Sequence, residues 1–135
     1  MDQIIDFLDL NEQLEMRLAF TKFLRVNLLS EEKEDVFRDM ILETKIVEFI
    51  LKNLESKQLL FESTFFLANA TQFNDSEVCE KLVNRFLVPT SNLIDIKEFK
   101  KYIKDYENQK VVENIIWFWS NILAEDSYQK TTFFH

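Results

Sequence analysis

The 135-residue chain contains no glycine and a single proline, Pro89. Glycine supplies positive φ without steric cost and proline presets turns, so hairpins and small barrels draw heavily on both. A chain without them is expected to be all-helical. The same absence removes the glycine-rich loops through which P-loop and dinucleotide-binding proteins bring backbone N–H groups against phosphate. With 47% hydrophobic residues and 14 phenylalanines, the chain is too apolar for a disordered tail, and its length fits one domain around one core.

The formal charge of −8 disfavours nucleic acid phosphate and anionic lipid and favours a basic protein partner. The basic residues Lys97, Lys100, Lys101 and Lys104 are interleaved with Glu98, Asp105 and Glu107, which reads as a solvated helix face. One cysteine, Cys79, cannot close an internal disulfide, and one histidine, His135, cannot build a His/Cys metal cage, so neither metal nor cofactor is expected. Cys79 falls in the apolar run Val78, Leu82, Val83, Phe86, the pattern of a buried structural thiol. The start Met1-Asp2-Gln3 is acidic and no apolar run approaches the roughly 18 residues of a membrane span, so neither signal peptide nor anchor is expected; the reading is cytosol or nucleus. Paired acids such as Glu31/Glu32 and Glu125/Asp126 sit where helix ends and dipoles account for them, so the chain is read as no enzyme.

Apolar residues recur at helical spacing from end to end, broken by clusters of Ser, Asn, Asp and Pro. Ile4, Ile5 and Leu8 mark a first helix. Asn11 is placed to cap a second carrying Leu14, Leu18, Phe23 and Leu24. Ser30 offers the next start, before Val36, Phe37, Met40 and Ile41, and Thr44 the one after, before Ile46, Val47, Ile50, Leu51 and Leu54. Residues 57–71 read as a largely buried helix, and Asn74-Asp75-Ser76 as a turn and cap before residues 77–86. Pro89 is expected to interrupt. A variable stretch follows from Leu93 to Asn108, with Ile96, Phe99, Tyr102, Ile103 and Tyr106 on one face, then a last helix from Val111 to Glu125, for about seven or eight helices in all.

Two segments repeat each other: Glu62 to Ala70 and Glu113 to Ile122 each carry a glutamate, then an aromatic, then an asparagine four residues beyond the aromatic. Self-similarity at a period near about 40 residues implies a solenoid, and the excess in this offset falls between Asp95 and Lys110. The approximate repeats are 1–30, 31–75 and 76–127, with a short tail 128–135, in a single domain.

Residues four apart share a helix face, so Trp117, Asn121 and Glu125 form one column. An asparagine amide can bond both N–H and C=O of an extended peptide, an indole face accepts a Lys or Arg stem and cation for about 0.5–2 kcal/mol, and a carboxylate such as Glu125 receives the head group. The same pattern also fits a core helix whose asparagines bond a neighbouring loop. Both readings stand on the residues alone.

The pattern resembles the armadillo repeats of the importin alpha family, whose third repeat helices carry Glu-x-x-x-Trp-Ala-Leu-x-Asn-Ile. Trp117 and Asn121 stand at the Trp and Asn of one repeat, and Phe65 and Asn69 at those of the repeat before; Asn114 matches a polar groove position and Trp119 the family's Leu, a core position. Gln13 to Glu15, Leu28 to Glu31, Ile41 to Thr44, Val47 to Phe49, Val88-Pro89 and Ala124 to Ser127 look like the family's first repeats in order. The resemblance implies a right-handed superhelical solenoid of about three helical repeats. Its function would be that of a non-catalytic adaptor, reading an extended basic segment such as a nuclear localisation signal through Phe65, Asn69, Asn114, Trp117, Asn121 and Glu125. Phe65 replaces the family's Trp, Lys45 and Arg85-Phe86 stand where it has glycines, and Phe73 and Val78 replace a Gly and a Thr of its lysine pocket, of which Glu125 remains. The chain is also expected to lack the basic arm that recruits importin beta and to leave the apolar face of its last helix uncapped, only partly covered by Tyr128 to His135 with Phe133 and Phe134. Self-association or a larger complex across that end is expected. The alternative is a structural helical-repeat subunit with a degenerate groove that docks through its ends or outer faces.

Overall fold

The computed structural model describes residues 1–11, 13–28, 31–72, 75–94 and 106–124. Among them the chain is all-α, with seven α-helices, two 3-10 turns and no strand. The helices are α1 (Asp2–Asn11), α2 (Leu14–Leu28), α3 (Glu34–Glu43), α4 (Ile46–Asn53), α5 (Leu60–Ala70), α6 (Ser76–Leu93) and α7 (Tyr106–Ala124). α2 packs on α5 and α5 on α7, making one row; α1 packs on α4 and α4 on α6, making a second; α3 sits against α2, α4 and α6. The core lies between the rows. Phe37, Phe49, Phe66, Phe86 and Phe118 are fully buried in it, each worth about 1.5–3 kcal/mol of transfer free energy.

A chain without glycine must end its helices without the left-handed residue that commonly closes them. Here the ends close at negative φ, with Thr44 at −120°, Leu54 at −68° and Thr71 at −86°. Threonine hydroxyls and 3-10 bonds take over the last carbonyls. Thr44 donates to the Met40 carbonyl at 2.6 Å and accepts from Ile46 N–H at 3.3 Å, so it serves the end of α3 and the start of α4 together. Thr71 bonds the Leu67 and Ala68 carbonyls, and Lys81 of α6 reaches the Ile41 carbonyl of α3 at 2.7 Å. Asp75 caps α6 as expected, accepting from Glu77 and Val78 N–H.

Several expectations are corrected. Asn11 does not cap α2: it ends α1, and its amide bonds back to the Phe7 carbonyl at 2.8 Å. Pro89 does not interrupt; α6 runs through it to Leu93. A proline that deep removes an intrahelical donor, and the hydroxyls of Thr90 and Ser91 support that turn by bonding the Phe86 and Leu87 carbonyls. The last helix begins at Tyr106, not Val111. On α2, Leu14 and Phe23 are exposed, and the buried stripe is Arg17, Thr21 and Leu24. Ile4 and Val36, placed among the apolar faces of α1 and α3, are exposed as well.

The reason for the α2 reversal is a buried polar network. Arg17 donates to Asn53 Oδ1 at 2.7 and 3.0 Å and to the Phe49 carbonyl at 3.1 Å, stacks 4.2 Å from the Phe49 ring centroid, and pairs with Asp9. Asn53 in turn donates to Thr21 Oγ1 at 3.0 Å. A buried cation is tolerated only when paired and hydrogen-bonded, and this one is. Ser30, Phe73, Asn74, Ile96, Phe99, Tyr102, Ile103, the lysines 97, 100, 101 and 104, and the tail 128–135 lie outside the described residues.

Candidate binding groove

The packing of α5 against α7 is held by two asparagines that sit two turns apart. Asn114 Nδ2 donates to Thr64 Oγ1 at 3.2 Å and to the Phe61 carbonyl at 3.4 Å; Asn121 Nδ2 donates to Thr71 Oγ1 at 3.2 Å and to the Ala68 carbonyl at 2.9 Å. Both Asn–Thr pairs are separated by 50 residues, so the helices run parallel in constant register. Each carboxamide has two N–H donors, and both are engaged by α5, leaving the Oδ1 acceptor as its remaining capacity. Asn114 and Asn121 thus bond within the protein, though to helix α5 and its C-cap rather than to a loop.

On the exposed side of this seam lies a cavity of about 440 Å³. Phe61, Phe65 and Ala68 of α5 and Asn114 and Trp117 of α7 form its walls, Asn69 and Gln72 lie toward one end, and Lys110 and Glu113 toward the other. Four of the six residues picked from the sequence, Phe65, Asn69, Asn114 and Trp117, thus meet in one groove. Asn121 does not line it, and Glu125 lies outside the described residues. Trp117 is 57% exposed, and neither its indole nor the Asn69 carboxamide bonds any described residue. Trp119 is packed against the core, with its indole N–H on Thr90 Oγ1 at 3.0 Å, and Cys79 is buried.

A second cavity of about 400 Å³ shares Phe61 and Lys110 with the first and is completed by Leu18 of α2, Lys57, Gln58, Glu62, Asn108 and Val111. The two adjoin across the Phe61 ring. Between α2 and α5, Arg25 lays its guanidinium 4.7 Å from the centroid of Phe65 and holds Glu62 through a two-point fork. Glu113 pairs with Lys110 at 3.1 Å. Arg25, Thr64 and Thr71 were not singled out from sequence. The threonines carry a readable signal: they lie seven apart, as Asn114 and Asn121 do, so the two helices present matched partners at one register.

Two basic groups elsewhere act as staples. Arg38 is held above its ordinary pKa by the hydrogen bond to Asp75, tying α3 to the start of α6, and Lys45 is likewise raised by Asp6 of α1. Neither lines the groove. Among the described residues no group of His, Cys, Asp or Glu could hold a metal ion, and no helix is long and apolar enough to cross a membrane. Comparisons with protein-family models, curated proteins and solved structures return no match for this chain.

Proposed function

We propose that this chain is a non-catalytic protein-binding module of armadillo type, which holds an extended segment of a partner along the groove between α5 and α7. The observation that carries the reading is the convergence of Phe65, Asn69, Asn114 and Trp117 on one cavity beside an exposed indole. Side-by-side parallel helices suit an extended guest, because successive turns offer equivalent positions along its backbone. Ion pairs recur at a separation of 37 residues, in Arg25–Glu62, Arg38–Asp75 and Arg85–Glu48, which supports a repeating unit of the expected size. The charge of −8 favours a partner rich in lysine and arginine, and cytosol or nucleus is the setting in which such an adaptor works. Fluorescence polarisation with labelled lysine-rich peptides, with and without a central aromatic residue, tests the proposal. Binding lost on Trp117→Ala and weakened on Asn69→Ala is expected; no binding of either peptide, or binding indifferent to both changes, sinks it.

A second reading, a helical-repeat subunit docking through its ends, is favoured by one observation. Phe7 and Leu10 of α1 and Phe23 and Val26 of α2 are all more than half exposed, apolar area on the first two helices that does not line the α5–α7 groove. Sedimentation at rising concentration separates the two readings, since docking by this face predicts association that Phe23→Glu abolishes.

A further inference from the structure

We infer that the groove reads an apolar anchor of the partner segment, an aromatic or long aliphatic side chain, and rejects a lysine or arginine head group at that position. The inference rests on the proposed peptide-binding role and concerns what the slot selects. Its ground is the charge of the walls. The carboxylates lining the two adjoining cavities among the described residues are Glu62 and Glu113, and each already holds an internal cation. Arg25 forks onto both oxygens of Glu62, and Lys110 lies 3.1 Å from Glu113. An incoming ammonium finds both oxygens of Glu62 taken and Glu113 already partly neutralised by Lys110.

One aromatic wall, Phe65, points the same way. A ring attracts a cation through its face, and the Phe65 ring has a guanidinium 4.7 Å from its centroid. A second cation at that ring meets the first as a like charge. An apolar side chain meets no such opposition: Phe61, Phe65, Ala68 and the exposed indole of Trp117 cover it, and its burial requires no charge to lose water. The groove's polar capacity suits the guest's backbone. The Asn69 carboxamide bonds no described residue and can donate to and accept from one peptide unit, while Asn114 Oδ1 can accept a further N–H. Basic residues of the partner then act as flanks, drawn by the overall charge. Arg25 lines neither cavity but sets the choice, by holding a positive charge against the Phe65 ring and taking up Glu62.

The test uses the full chain and two labelled peptides of equal length with identical lysine-flanked serine sequences, one with Phe and one with Lys at the centre. The Phe-centred peptide is expected to bind about tenfold tighter, and Trp117→Ala to remove that advantage. Arg25→Met, which keeps the aliphatic stem and uncovers Glu62, is expected to bring the Lys-centred peptide level with the other. Glu62→Gln, which leaves the guanidinium in place without its carboxylate, keeps or widens the Phe preference and serves if the Arg25 variant loses its helical circular dichroism. Lys-centred binding as tight as Phe-centred binding in the unaltered chain overturns the inference and leaves the groove standing. Failure of both peptides to bind overturns the groove and the inference together. Unchanged discrimination in folded Arg25→Met overturns the role given to Arg25.

Discussion

An asparagine on a helix face can hold a peptide or hold another helix, and geometry decides between them by where the two N–H donors go. Asn121 sends both to α5, so its removal takes one donor each from the Ala68 carbonyl and the Thr71 hydroxyl, which keep their bond to each other. Asn121→Ala is expected to cost about 1–2 kcal/mol in urea unfolding while changing peptide affinity little. A loss of affinity at unchanged stability would return Asn121 to the groove. Ser63 is the reverse case. Its hydroxyl is fully buried and bonds nothing among the described residues. Ser63→Ala removes a desolvated polar atom without opening a large space, and a gain of about 1 kcal/mol in the same measurement is expected. A destabilised Ser63→Ala would reveal a partner for that hydroxyl.

Elements were legible where burial follows apolar periodicity. Residues 57–71 could be read as buried helix, in fact a 3-10 turn at Lys57–Leu59 leading into α5, because Leu59, Leu60, Phe66, Leu67 and Ala70 are buried, and the start of α6 because Asp75 carries a side-chain acceptor. α2 could not be read that way, because Arg17 and Thr21 take the inward stripe through a network with Asn53 whose members lie 32 and 36 residues apart. Nothing local announces such a pairing. Pro89 misled for a related reason, since the helix survives on hydroxyl bonds and on packing that the proline itself does not report. Of the candidate groove, Phe65, Trp117 and the asparagines were legible by spacing, whereas Phe61, outside the repeated motif, was not, nor was Arg25, its partners being 37 and 40 positions away in the chain. At this scale Thr90 is the informative position. Its hydroxyl donates within α6 and accepts the Trp119 indole N–H from α7, joining the two rows. Thr90→Val conserves shape and deletes both bonds, so a loss of about 1–3 kcal/mol is expected. Thermal melting followed by tryptophan emission checks it, and an unshifted melt would show that the rows are joined by packing alone.

At the scale of the whole molecule, two forces act on a partner at different distances. The net charge of −8 attracts a basic segment from afar, while the groove walls act on contact and are balanced in charge. Screening distinguishes them. The Debye length falls from about 10 Å at 0.1 M salt to about 3 Å at 1 M, so added salt weakens steering and leaves buried apolar contacts in place. For a lysine-flanked peptide with an apolar centre, the association rate is therefore expected to drop several-fold, roughly fivefold, between low and high salt, with the dissociation rate nearly constant. Stopped-flow polarisation measures both rates on the same sample. A dissociation rate that climbs with salt while association holds would place the cation–carboxylate contacts inside the bound groove, in competition with the pairing of Glu62 with Arg25 and of Glu113 with Lys110. The salt profile thus reads, from outside, whether charge brings the partner to this surface or holds it there.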